Sequence, residues 1–170
     1  ETFQSYNADE ITALFKRALE DLYEMRIKEG ESLAEELRKM TDLLGSMNEK
    51  IMTFSERVVS EVKEKFNERL TILLTGKDID ANRVLQESAI IAARYDISEE
   101  IARIGSHLRQ FREILSDGDI IGKKLDFIIQ ELNREVNTIA SKSGNYDLAS
   151  LVVEMKAEIE KMREQAQNIQ

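Results

Sequence analysis

The sequence predicts an all-α protein: a long helical arm or hairpin followed by a bundle of about four helices. Three observations carry that expectation. The 170 residues contain no proline and only seven glycines, whereas sheets and their turns ordinarily use both. Apolar residues recur at three- and four-residue spacing along almost the whole chain, with charged residues between them. Turn-forming residues gather at a few places only, the clearest being Thr75-Gly76-Lys77-Asp78. That stretch divides an arm over residues 1–75 from a helical bundle over residues 76–170.

The arm opens with polar residues, among which Ser5, Asn7 and Asp9 are candidate helix N-caps. Its apolar stripe runs through Ile11, Leu14, Phe15, Ala18, Leu22 and Met25, then Leu33, Leu37, Met40 and Leu44, then Met47, Ile51, Phe54, Val58 and Val62. One helix from Asp9 to about Leu74 measures on the order of 100 Å at 1.5 Å per residue. Gly30 lies inside it and Gly45-Ser46 offers a break, so one helix and a hairpin of two both fit the pattern. A lone helix of that length has no core; its stripe needs a partner, and an oligomer is the expectation.

In the bundle, ANRVLQESAIIAARY reads as a short helix with Val84, Leu85, Ser88, Ala89, Ile91 and Ala92 near its buried side. Asp96-Ile97-Ser98-Glu99-Glu100 is a helix start, with Asp96 or Ser98 as N-cap and acids in the first turn. The helix it opens carries Ile97, Ile101, Ile104, Leu108, Phe111 and Leu115 on a narrow seam and stops at Ser116-Asp117-Gly118-Asp119. The next, from Asp119 to Lys142, has Ile121, Leu125, Ile128, Ile129, Leu132, Val136 and Ile139 on one stripe. Ser143-Gly144-Asn145 separates it from a last helix with Leu148, Leu151, Val152, Met155, Ile159, Met162, Ala166 and Ile169. Links this short make antiparallel neighbours.

The polar faces of the Asp119–Lys142 helix are unusual. Asp126, Gln130, Asn133, Arg134 and Asn137 cluster opposite the stripe, while Lys124, Glu131, Glu135, Thr138 and Lys142 line one flank. Asn and Thr are poor helix formers, each costing a few tenths of a kcal/mol, roughly, so something other than helix stability selects them.

Charge and composition narrow the function. A formal net charge of −9 speaks against a simple basic nucleic-acid surface. A local basic set nevertheless exists: Arg109, Arg112, Lys123, Lys124, Arg134 and Lys142. The absence of cysteine fits a reducing compartment. No apolar run approaches the roughly 20 residues a membrane span needs. The opening residues read as neither a signal nor a transit peptide, so a soluble, cytoplasmic protein without a membrane partner is expected. The first residue is Glu rather than Met, the start expected of a fragment or a processed chain.

No nucleotide-binding loop, zinc cluster or Ser-His-Asp spacing is present. The sole histidine, His107, lies at the edge of the seam one turn from Arg103 and Glu100. It reads either as a boundary histidine satisfied by a carboxylate or as a general acid/base or metal ligand, since histidine titrates near neutrality. Glu131 and Glu135 stand at i and i+4 with Asp126 round the side, and such carboxylates can hold a divalent cation. The same spacing also decorates ordinary exposed helices, with Lys124 or Lys142 as salt-bridge partners. Asn133, Arg134 and Asn137 suit phosphate oxygens or base edges, or alternatively a buried polar network between helices.

The stretches ISEEIARIGSHLRQFREIL, GKKLDFIIQELNREVNTIASKS and LVVEMKAEIEKMREQAQNI closely resemble the C-terminal region of the YicC/YloC family of bacterial proteins. The matching positions include Ser106, His107, Leu108, Gln110, Phe111, Gly122, Lys124 through Phe127, Gln130, Glu131, Asn133, Arg134, Glu135, Asn137, Thr138, Ser141 and Lys142. The stretch around Met25-Arg26 and Glu29-Gly30 is similar to the family's long linking helix. Family proteins carry an N-terminal domain opening with S-M-T-G-F-G, a signature this sequence does not contain; the resemblance implies that Glu1 falls near that domain's end.

The resemblance implies a metal-dependent endoribonuclease acting on single-stranded RNA and linked to turnover of small regulatory RNA. It further implies a divalent cation, Mn²⁺ or Mg²⁺, a hexameric homo-oligomer, and other RNA-decay enzymes among its partners. Laid over the motif, Glu131 and Glu135, with Asp126, bind the cation, and His107 joins the two glutamates as catalytic group. Arg112, Arg134 and Lys142 hold the RNA backbone, Asn133 and Asn137 orient it, and Arg109, Lys124 and Gln130 complete the RNA-binding set. The alternative is a non-catalytic RNA-binding adaptor for another ribonuclease, using the same face without a metal; a helical oligomerisation scaffold is a third reading.

Overall fold

The computed structural model describes residues 7–74, 86, 90, 93, 95–117, 121–143 and 145–169. Among them are four helices and no strand: α1 (Ala8–Leu74), α2 (Ser98–Ser116), α3 (Gly122–Lys142) and α4 (Tyr146–Ala166). The short helix expected over 81–95 lies, apart from isolated positions, outside the described residues. So do the Thr75–Asp78 punctuation, the Ser5 cap, and Gly118, Asp119 and Gly144 of the two later links.

The arm is one helix of 67 residues, about 100 Å long at 1.5 Å per residue. Asn7 supplies its start, accepting a hydrogen bond from the Asp9 backbone N–H at 3.1 Å. Neither glycine breaks it. A glycine in a helix interior costs only about 1 kcal/mol against alanine, and Gly45 lies where the stripe is docked. A methyl group there would stand 3.9 Å from the Arg112 guanidinium of α2. Ser46 satisfies its hydroxyl on the Leu43 carbonyl within the same helix.

Among the described side chains of α1, those in its middle are the ones buried. Leu37, Leu44 and Ile51 are fully buried, and Leu33, Met40, Met47 and Phe54 pack at the edge of the same core. Ile11, Leu14, Phe15, Leu22 and Met25 of the same stripe are exposed, as are Leu19, Tyr23 and Ile27. The middle of α1 packs against α2 and α4, and α3 packs against α2 and α4, which closes a four-helix ring. Asp42 of α1 meets Arg112 while Asn48 meets the Ile101 carbonyl, so α1 and α2 run antiparallel. The seam of α2, the stripe of α3 except its edge residue Ile121, and Leu148, Val152, Met155, Ile159, Met162 and Ala166 of α4 fill the core.

The helix ends refine two expectations. The cap position of α2 is Ile97, which offers no side chain; Asp96 acts instead from one residue earlier, accepting from the Ser98 backbone N–H at 3.0 Å and from its hydroxyl. The described part of the α3 helix begins at Gly122. Here glycine is required by close approach, because a methyl group would lie 3.1 Å from the Ile169 carbonyl oxygen where the chain leaves α4.

Candidate active site

The α2–α3 interface is apolar on its core side and charged along its outer edge. Glu100, Arg103 and His107, three and then four residues apart on α2, share one side of that helix. Lys142, Glu135 and Glu131 descend α3 in the opposite direction, so antiparallel packing sets them opposite as three rungs. In the first rung, Lys142 Nζ lies 2.8 Å from Glu100 Oε1 and also donates to the Asp96 carbonyl at 2.9 Å. In the second, Arg103 Nη1 lies 3.4 Å from Glu135 Oε1, while Nη2 holds Glu99. Glu99 first, and then Glu135, raise the Arg103 guanidinium above its ordinary pKa.

The third rung is chemically open. One ligand atom each from His107, Glu131 and Glu135 all lie within 4.8 Å of one another. Glu135 is 3 % exposed, and Glu131 and His107 are half-buried. His107 Nδ1 is buried and has no hydrogen-bond partner among the described residues. Ligands around a divalent ion sit about 2.0–2.3 Å from it, hence up to about 4.5 Å apart, so this group fits one cation with little adjustment. One imidazole nitrogen and two carboxylates make a donor set that a divalent cation can take. The expectation that His107 is satisfied by a carboxylate hydrogen bond is not met, and neither Lys124 nor Lys142 pairs with Glu131 or Glu135 among the described contacts.

Asp126 is not brought into this group. It accepts a hydrogen bond from Gln130 Nε2 at 2.7 Å, and its charge acts on Arg163 of α4.

Beside the carboxylates, Gln130, Asn133, Arg134, Asn137, Thr138 and Ser141 line an open depression on α3. Asn137 donates to Asn133 Oδ1 at 3.3 Å, and Thr138 and Ser141 donate to carbonyls of their own helix. These are contacts along one helix, not a buried network joining two. Arg134 is 71 % exposed and lies 3.6 Å from Glu131 Oε2, which ties the depression to the carboxylate group. The other RNA-binding candidates lie elsewhere. Lys142 is held in the first rung, and Arg112 pairs with Asp42 of α1 at 2.7 Å. Arg109 extends along α2 past Gly105, and Lys124 is exposed in the first turn of α3, outside the depression.

Arg103 borders the candidate site without having been assigned to it from the sequence. Its spacing of four from His107 marked it as a neighbour on its own helix. Its pairing with Glu135 depends on the register of α2 against α3, which no single-helix pattern carries.

Fold and site together define an all-α bundle protein with a His–Glu–Glu group beside a polar, arginine-bearing face. Residues 51–170 match the family model described as endoribonuclease YicC-like, C-terminal, and the chain belongs to that family. It is 46% identical over 167 residues to the probable endoribonuclease YicC of Clostridioides difficile (strain 630), covering 95% of this chain and 57% of that protein. It is 36% identical over 163 residues to the probable endoribonuclease YicC of Haemophilus influenzae (strain ATCC 51907 / DSM 11121 / KW20 / Rd), covering 96% of this chain and 56% of that protein. The chain thus spans a little over half the length of these curated relatives. Among the described residues no helix is long and apolar enough to cross a membrane.

Proposed function

We propose that this chain carries the catalytic helices of a metal-dependent endoribonuclease that cuts single-stranded RNA, small regulatory RNA being the substrate class implied by the family resemblance. The observation that carries the reading is the convergence of one ligand atom each from His107, Glu131 and Glu135 within 4.8 Å of one another, on a histidine whose buried Nδ1 has no hydrogen-bond partner among the described residues. The relatives' description as probable endoribonucleases supports the same reaction class. A divalent cation held by these three residues supplies Lewis-acid polarisation of a phosphodiester oxygen or activation of a water. The imidazole in the donor set favours Mn²⁺ over Mg²⁺, which prefers oxygen alone.

The chain's own residues do the rest. Arg103, anchored by Glu99, offsets the charge of buried Glu135 and fixes its carboxylate. Arg134 offers a planar fork to an RNA phosphate one helical turn from Glu131, and Asn133, Asn137 and Gln130 add donors and acceptors along the same depression. The exposed stripe over Ile11–Ile27 of α1 supports a homo-oligomer, which we place in the cytoplasm.

The test is cleavage of a labelled single-stranded RNA with Mn²⁺ or with EDTA, by this chain and by Glu131→Gln. Cutting that requires Mn²⁺ and falls about 100-fold or more in the variant is expected. Undiminished cutting by the variant counts against the site, and salt-sensitive binding without cleavage moves the assignment to the adaptor.

A further inference from the structure

On α3, the one large hydrophobic side chain exposed to solvent is Phe127, at 60 %. No described residue of α2 presents another. Successive residues of a helix advance about 100°, so Phe127 is about 20° round the axis from Arg134 and from Thr138, and about 40° from Glu131. Phe127 therefore continues the line of the depression, one turn before Gln130 and Glu131 and about 10 Å along the axis from Arg134. The same face thus carries an exposed ring, a row of hydrogen-bonding side chains, an arginine and the edge of the carboxylate group. Phosphate contacts and amide donors grip a strand's backbone and edges but leave the faces of unpaired bases bare; an exposed ring supplies the missing surface.

We propose that Phe127 is a base-stacking platform for single-stranded RNA, seating one unpaired base about one helical turn from Glu131. This rests on the endoribonuclease reading above and adds to it a requirement for an unpaired base beside the cut. A stacked base sets the height of the strand along α3, while Arg134 takes a phosphate farther along the depression. The side chain faces solvent, so its replacement removes a contact with ligand and leaves the core intact.

The experiment measures affinity for a labelled single-stranded oligoribonucleotide in EDTA, so that binding is read without cleavage. Stacking on an aromatic side chain is lost on Phe127→Ala, raising Kd about 5- to 150-fold, with an unchanged helical circular-dichroism spectrum. Phe127→Leu, which keeps apolar bulk without a ring, is expected to resemble the alanine variant. Phe127→Trp is expected to keep wild-type affinity. Because the chain has no tryptophan of its own, that indole reports directly, and its emission is quenched as a base stacks on it. Wild-type affinity in Phe127→Ala, or unquenched emission from Phe127→Trp at saturating RNA, overturns the proposal and leaves the endoribonuclease reading standing. A change in oligomeric mass in Phe127→Ala at unchanged RNA affinity overturns it too, reassigning the ring to a subunit interface. Wild-type chain that binds no RNA overturns both.

Discussion

Replacing Lys142 by methionine separates two roles with opposite signatures. Lys142 fits a phosphate contact by sequence, yet its ammonium sits 2.8 Å from Glu100 Oε1 and donates to the Asp96 carbonyl at 2.9 Å. The Glu100 side chain is 8 % exposed, and its second oxygen has no partner among the described residues, so Lys142 is the counter-charge that keeps a buried carboxylate tolerable. Removing one partner of a fully buried pair costs about 3–5 kcal/mol. The Lys142 side chain is 31 % exposed, so water reaches one end of the pair and lowers the expected loss to about 2–3 kcal/mol. With a urea m-value of about 2 kcal/mol/M, the midpoint falls by about 1–1.5 M. The double variant Lys142→Met/Glu100→Gln removes the stranded charge and is expected to recover most of that loss. RNA binding, measured where every variant is folded, should keep its salt dependence in Lys142→Met. Arg134→Ala, by contrast, should lower the slope by about 0.7, the value of one single-strand phosphate contact. A Lys142→Met protein that loses under 0.5 kcal/mol but drops the salt slope refutes the structural assignment.

Two further outcomes test the frame. Leu44→Ala, at a fully buried position of α1, is expected to cost about 2–5 kcal/mol by urea denaturation; a loss below 1 kcal/mol means that α1 does not dock on the bundle. The Asp96 carboxyl is held below its usual range by the Ser98 hydroxyl first, then the Ser98 backbone N–H, with the charge of Lys142 adding to them. A depressed acid stabilises the fold above its unfolded pKa of about 4 and loses that contribution as pH falls through the lower folded value. Asp96→Ala should therefore cost about 0.5–1 kcal/mol at pH 7, and its gap to wild type should narrow below pH of about 4. A gap constant from neutral to strongly acid pH argues against this cap.

The helices and their buried faces were legible because a 3.6-residue period leaves its mark in every turn. Each of Ile97, Ile101, Ile104, Leu108, Phe111 and Leu115 is buried as the seam requires. The docked part of α1 was not legible, since its stripe repeats without change from Ile11 to beyond Phe54. What selects the buried stretch is the length of its partners. Helices of 19 and 21 residues are about 30 Å long and cover about 20 residues of a neighbour, which matches the segment from Leu33 to Phe54 that is covered among the described side chains. Length is in the sequence; register is not. The site divides the same way. Glu131 and Glu135 announced themselves by spacing, and His107 by being alone, but their meeting depends on how α2 is set against α3. Asp126, although near in sequence, is about 140° round the axis from Glu131, which turns it from the group toward Arg163.

The outer edge of the α2–α3 interface bears on why the proposed site lies here, among the many carboxylates of an acidic chain. Two rungs are closed, each acid facing a base: Glu100 with Lys142, and Glu135 with Arg103. A seam selected for stability alone gains by closing the third in the same way, or by making it apolar, because a buried polar atom without a partner costs about 1–3 kcal/mol. Instead the third rung sets His107, whose Nδ1 has no partner among the described residues, against Glu131 and beside Glu135. Arg134 approaches Glu131 only from the solvent side, at 3.6 Å and largely exposed, where screening leaves little binding energy. Glu100 Oε2 of the first rung also lacks a partner among the described residues, yet only the third rung leaves its acid without a lysine or arginine across the interface, next to the one face of α3 that carries both an arginine and an exposed aromatic ring. Departures of this kind are expected at sites selected for something other than stability. They supply the physical reason for choosing this rung, and not the Glu100–Lys142 rung, as the centre of the proposed reaction.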